Sequence, residues 1–195
     1  MDLEDFWRFL ERSAAETTDP TGRLAWLEQR LSRIARRHIV DFQIHLETVR
    51  RPTDTYTMWG AANQILDGMC GTDAFWYFQF WLIGQGQHWW QHAVRDPDNL
   101  ADLPAVQILA GRPMKQWNDS EWPWWQDLPA VAPGAHDQIT GEQDSIDGPM
   151  AEQGYLRHFD PMPADQPWDD NDPTEIHRRL PRLADLFPRH HKPTA

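Results

Sequence analysis

Four groups of residues in this 195-residue chain combine types and spacings that can do chemistry. The first is the loop of Asp67, Cys70, Thr72 and Asp73, just ahead of an apolar run. Backbone N–H groups at a helix start hold anions, and Asp73 or Cys70 can serve as acid, base or nucleophile. The competing role is structural: Thr72 or Asp73 caps the helix while Cys70 packs as a small apolar side chain. No cation adjoins Cys70 in sequence to activate its thiol, so packing is its expected role. The second group is His88 and His92, four apart on one helical face, a spacing that suits two metal ligands or a proton relay. The pattern H-W-W-Q-H lacks the glutamate of H-E-x-x-H and offers half of a tetrahedral shell, so no bound metal is expected.

The third group is the tryptophans, 12 in all. At about 100° per residue Trp76, Trp81, Trp89 and Trp90 cannot share one helical face, so some must be core. The remainder, with Trp59, Trp122, Trp124 and Trp125, can line a cavity for an aromatic, apolar or cationic ligand, through contacts of about 0.5–2 kcal/mol each. A Trp-rich core under a decorated surface is the alternative. The fourth group is two acidic runs, Asn118-Asp119-Ser120-Glu121 and Asp169-Asp170-Asn171-Asp172, which could hold Mg²⁺ and a diphosphate. Acidic motifs beside aromatic walls are loosely similar to terpene cyclases, which makes a Mg-dependent cyclase the remote reading. The chain is too short for that fold and the motif order is wrong, and the second run also suits a helix N-terminus.

The elements that must position these groups are helical. Apolar spacing predicts helices over 2–15, 24–34 and 39–49, the last stopped by Arg50-Arg51-Pro52, then one capped by Thr53 or Asp54 and running to Asp67-Gly68. A fifth, over about 73–94, is apolar all round in its first half and is expected to be the central, buried helix. A short helix to about residue 109 and a last one over 173–185 complete the set. Residues 111–167 show no sustained period and read as a long irregular Trp- and Pro-rich segment packed on the fifth helix. The expected fold is all-α, a single domain over 1–188 with a frayed tail over 189–195.

Composition removes several function classes. A net charge of −12 supplies no basic footprint, so no nucleic acid is expected. The apolar run at 74–83 is half a membrane span and is broken by Gln79, so no membrane partner is expected. One cysteine excludes an internal disulfide, and the acidic amphipathic start MDLEDFWRFLERS is no signal peptide, which together suit the cytoplasm. There is no Gly-rich phosphate loop, no G-x-S-x-G and no cysteine pair, so no cofactor is expected.

The series FWRFLE, DFQIHLE, MWGAANQILDGMCGTDAFWYFQFWLIGQG, DPDNLAD and PWDDNDPTEIHRRLPRLADLF resembles the bacterial domain of unknown function 4240 family over nearly the whole chain, most weakly in 111–165. Its most specific parts are G-x-C-x-x-D-x-F-x-Y-F-x-x-W-L-I at 68–83 and R-R-L-P-R-L at 178–183. The resemblance implies a small, soluble, mostly helical domain of a bacterial family for which no activity is established. The chain departs from the family pattern at its Cys loop, where Cys-Ser-Asp-Asp has become Cys70-Gly71-Thr72-Asp73. It departs again at two arginine positions, now Gln79 and Gln87. Polar and charged positions have turned neutral beside aromatics, a pattern that either a change of function or drift on an idle surface would produce.

Two readings follow. In the first, the chain binds a small organic molecule between the fifth helix and residues 111–130, through Trp59, Trp76, Gln79, Trp81, Gln87, Trp122 and Trp125. Asp73 and His88 would then be the acid–base residues of a cofactor-free enzyme. In the second, it is a non-catalytic interaction module anchored by exposed Trp and Arg178-Arg179.

Overall fold

The computed structural model describes residues 1–189, and the tail from 190 onward lies outside the described residues. Every regular element among them is helical. The first six helices are α1 (Leu3–Glu16), α2 (Pro20–Leu31), α3 (Arg36–Arg50), α4 (Tyr56–Ile65), α5 (Thr72–Gly84) and α6 (Gln87–Arg95). They are followed by α7 (Pro104–Gln107), α8 (Leu128–Thr140), α9 (Asp147–Glu152), α10 (Pro173–Arg179) and α11 (Pro181–Leu186). No helix is long and apolar enough to cross a membrane among the described residues.

Local chemistry sets the ends of these helices. Asp2 and Asp19 accept from the backbone N–H three residues on and start α1 and α2, and Thr55 does the same for α4. The cap of α4 is therefore Thr55 and not Thr53 or Asp54. α5 is apolar on all sides and buries Phe75, Phe78, Phe80, Leu82 and Ile83 completely, as a central helix must.

Three expectations are corrected. The helix read over 73–94 is two helices, because Gly86 between them holds φ +95° and ψ 167°, a conformation open only to glycine. The last helix is likewise two, separated at Leu180 just ahead of Pro181, whose ring disfavours helical geometry in the residue before it. Segment 111–167 is not irregular throughout, since α8 and α9 form within it. Pro133 lies inside α8 and removes a helical hydrogen bond at a cost of about 3 kcal/mol. Burial of Leu128, Val131, Ala132 and Ala135 where α8 packs on α2 and α3 offsets that loss.

Residues 155–170 form no regular element and run alongside α4. Ala164 N–H donates to the Asp54 carbonyl, and the Asp165 carboxylate accepts from Tyr56 N–H, Thr57 N–H and the Thr57 hydroxyl. The Trp168 ring packs against Gly60, where a Cβ would come 2.3 Å from it.

Candidate functional site

Helical spacing puts Trp81 and Gly84 on one face of α5. Residues 111–127 return to that face: Trp125 N–H donates to the Tyr77 carbonyl at 3.1 Å and the Trp125 ring covers Gly84. A Cβ at Gly84 would sit 2.6 Å from Trp125 Cε3, so glycine is what lets the ring approach. Trp122 and Trp124 stack at 4.4 Å with planes 8° apart, and Trp117 meets Trp122 edge-on at 5.1 Å. The turn carrying them is held by Arg112, which clamps both oxygens of Glu121 at 2.8 and 2.9 Å.

Trp81, Trp122, Trp124 and Trp125 thus border one cavity of about 220 Å³, with Arg23 of α2 at its wall. The Arg23 guanidinium lies 4.3 Å over the Trp125 ring. Its remaining contacts are the Ser13 hydroxyl at 3.2 Å, the Gly84 carbonyl at 2.9 Å and the Leu10 carbonyl at 3.4 Å. Burial pushes its pKa down to about 10.

Trp59 borders a different and larger cleft, about 530 Å³, with Tyr56, Trp168 and the Cys70 loop. Its ring stacks on Phe75 at 4.7 Å and its Nε1–H donates to the Cys70 carbonyl at 2.7 Å. Burial pushes the Cys70 thiol up to about 12, which leaves it protonated and inert as a nucleophile at neutral pH.

Trp76 and Gln79 belong to neither cavity. They face a buried polar cluster built on α3: Gln43, Glu47, Arg50 and, just beyond its end, Asp54. Arg50 Nη1 reaches Asp54 at 2.8 Å and Gln79 Oε1 at 3.4 Å, Nε lies 3.6 Å from Glu47, and the guanidinium rests 4.4 Å from the Trp76 ring. Segment 155–170 closes the cluster, with Met162 N–H on the Asp54 carboxylate and His158 beside Glu47.

Burial raises the Glu47 pKa, against the opposing pull of Arg50 and His158. The folded state therefore holds this proton more tightly than the unfolded chain does. Its contribution to stability is complete below the ordinary glutamate value and is lost as pH rises through the folded one. Glu47→Gln imitates the protonated acid, so it should raise the melting temperature at pH 8 and change little at pH 4. Asp41, Asp137 and Glu175, whose pKa values are lowered, act alike in both proteins and cancel in that difference. A melting series showing the same difference at both pH values would contradict the assignment.

The two residues read as catalytic are not brought together. Asp73 is exposed in the first turn of α5, and His88 is exposed on α6 beyond the far end of α5, about 18 Å of helix away. Neither Asp73 nor Thr72 caps α5: the N-cap is Gly71, with no side-chain bond. His88 and His92 do share a face, with rings 6.3 Å apart, and His92 pairs with Asp102 at 3.2 Å. Gln87 opens α6, and its backbone N–H is capped from α1 by Glu11 at 3.2 Å. Among the described residues no three His, Cys, Asp or Glu side chains converge on a metal position. The acidic runs are otherwise engaged: Glu121 binds Arg112, Asp170 accepts from Asn63, and Asp172 caps α10.

Sequence reasoning missed Arg23 at the Trp cavity, and Glu47, Arg50 and Asp54 in the cluster. The cluster had a visible signal: Gln43, Glu47 and Arg50 recur at helical spacing beside the apolar stripe of α3. Arg23 had none.

A family model described as a protein of unknown function (DUF4240) matches residues 1–138. No curated protein matches the chain, and no solved structure does. The matched stretch covers α1 through most of α8 and stops before the 178–183 motif. It includes Arg23, the buried cluster and all of the tryptophans that border the 220 Å³ cavity. The chain belongs to the family of proteins of unknown function DUF4240.

Proposed function

We propose that this chain binds a small planar organic molecule in the cavity between α5 and residues 117–125. One observation carries the reading: four tryptophans from two separate stretches of sequence border the same space of about 220 Å³. That volume is somewhat below the usual range of about 300–1,000 Å³ for ligand sites, which points to one or two fused rings. Each ring-on-ring contact contributes about 0.5–1.5 kcal/mol beyond area burial.

The reading is of a binder without chemistry. Neither Asp73 nor His88 borders the cavity, and Glu121, which does, is held by Arg112. The interaction-module alternative has less support. Arg178 and Arg179 both bind Glu175, and Trp124 alone among the described tryptophans is more than a third exposed. A single, buried cysteine suits a cytoplasmic setting for this binder.

Calorimetric titration with naphthylmethanol, naphthoate and naphthylmethylammonium tests the reading. At least one probe should bind the native protein. Gly84→Ala should weaken that binding about tenfold or more, because the new methyl displaces the Trp125 ring from the wall. Gly84 has helical geometry, so alanine adds no backbone strain and the fold should survive. Binding of no probe, or binding untouched by Gly84→Ala, would reject the cavity as the site.

A further inference from the structure

The Trp-lined cavity has one charged group at its wall whose charge no other side chain among the described residues answers, and that group is Arg23. Each of the other ionic residues nearby has a partner. Arg112 and Glu121 form a two-point pair, and Asp19 is occupied as the cap of α2. Arg23 instead meets two carbonyl oxygens, one hydroxyl and a ring face. Carbonyls and an indole face supply partial charge only, so the guanidinium is left with most of its positive charge uncompensated.

Geometry also leaves donors unused. A guanidinium has five N–H groups. Nε spends one on Ser13, and Nη2 spends its two on Gly84 and Leu10. Nη1 has no hydrogen-bond partner among the described residues. Thr17 and Thr18 at the α1–α2 turn border the same cavity and add hydroxyl groups on that side. Ring faces on one wall and unspent donors on another describe a ligand with an apolar planar body and an anionic end.

We infer that the molecule taken up in this cavity is a planar aromatic acid, its carboxylate or phosphate bound by Nη1 of Arg23 and its ring held among Trp81, Trp122 and Trp125. The inference rests on the cavity being the binding site and adds the chemical class of the ligand. Of the classes that the tryptophans alone would accept, a cation is disfavoured by the guanidinium and a neutral ring leaves its donors unused. A net charge of −12 repels anions at long range, so any preference for one must arise locally, from Arg23. The low pKa of Arg23 has the same origin, since burial without a carboxylate partner disfavours the charged form.

The same three naphthyl probes, with phenyl phosphate added, decide it. Naphthoate and phenyl phosphate separate a carboxylate from a phosphate source, and either order of the two agrees with the inference. Native protein should bind naphthoate or phenyl phosphate about tenfold more tightly than naphthylmethanol, as expected of a charge-assisted hydrogen bond. Naphthylmethylammonium should be the weakest. Arg23→Gln should remove the preference for the acid while naphthylmethanol still binds, and Arg23→Lys should restore part of it. If naphthylmethanol binds native protein as tightly as both anions, the inference fails and the cavity reading stands. This comparison needs no variant, so misfolding of Arg23→Gln cannot blur it. If none of the probes binds, or binding ignores Gly84→Ala, the cavity reading itself falls and this inference falls with it.

Discussion

Replacing Arg50 with alanine is expected to destabilise the protein by about 3–5 kcal/mol, as when one member of a buried ion pair is removed. That is a large part of the about 5–15 kcal/mol that holds an ordinary domain together. Arg50 is 2% exposed and stands between Glu47 at 1% and Asp54 at 5%. Without it both acids are left in the interior with no cation beside them on α3, and the Gln79 carbonyl loses its donor. Arg8→Ala supplies the comparison, since the Arg8–Asp5 pair is 60% and 48% exposed and should be worth under about 1 kcal/mol. Urea unfolding followed by far-UV circular dichroism measures both. An Arg50→Ala loss as small as that of Arg8→Ala would mean that water reaches the cluster freely.

The helices were legible where one short-range rule acted alone. Leu3, Phe6, Trp7 and Leu10 gave α1 by spacing, and the all-apolar run gave a central α5. The rules failed where two of them competed. At Gly86 the apolar pattern continues on both sides, and only the backbone value of φ shows that the helix has stopped. In α8 the prolines and Gly134 argue against a helix, while contact with α2 and α3, which no local window contains, argues for one and prevails.

The site was legible in type more than in place. A surplus of tryptophan pointed to an aromatic cavity, and Trp81, Trp122 and Trp125 do border one. Which rings share it depends on the return of residues 111–127 to α5 through the Trp125–Tyr77 hydrogen bond, a contact across 48 positions (125 minus 77) that no periodicity encodes. Trp59 went to another cleft because α4 carries it toward the Cys70 loop. Asp73 and His88 have side chains suited to acid–base work, but the length of α5 keeps them apart. Arg23 was invisible because its importance comes from a missing carboxylate, and a sequence does not show absent neighbours.

Trp76→Ala should cost about 3–5 kcal/mol, the usual range for emptying a large buried aromatic position. Trp76 is 7% exposed, meets Phe80 edge-on at 5.1 Å and offers its face to Arg50 at 4.4 Å. The space left behind would be unusual in having one polar wall, formed by the Arg50 cluster. Apolar cavities stay dry, but a cavity lined by a guanidinium and carboxylates takes in water that can make several hydrogen bonds. That water moderates the loss toward the lower end of the range. It also returns solvation to Glu47 and so weakens the burial that raises its pKa. Two readouts are therefore linked. Trp76→Ala should lower the unfolding free energy, and in its background Glu47→Gln should lose most of its stabilising effect at pH 8. Trp76→Phe keeps a ring face toward Arg50 and should preserve that effect at a smaller cost. If Glu47→Gln stabilises the Trp76→Ala protein as much as the native one, the indole is not what keeps water from the cluster.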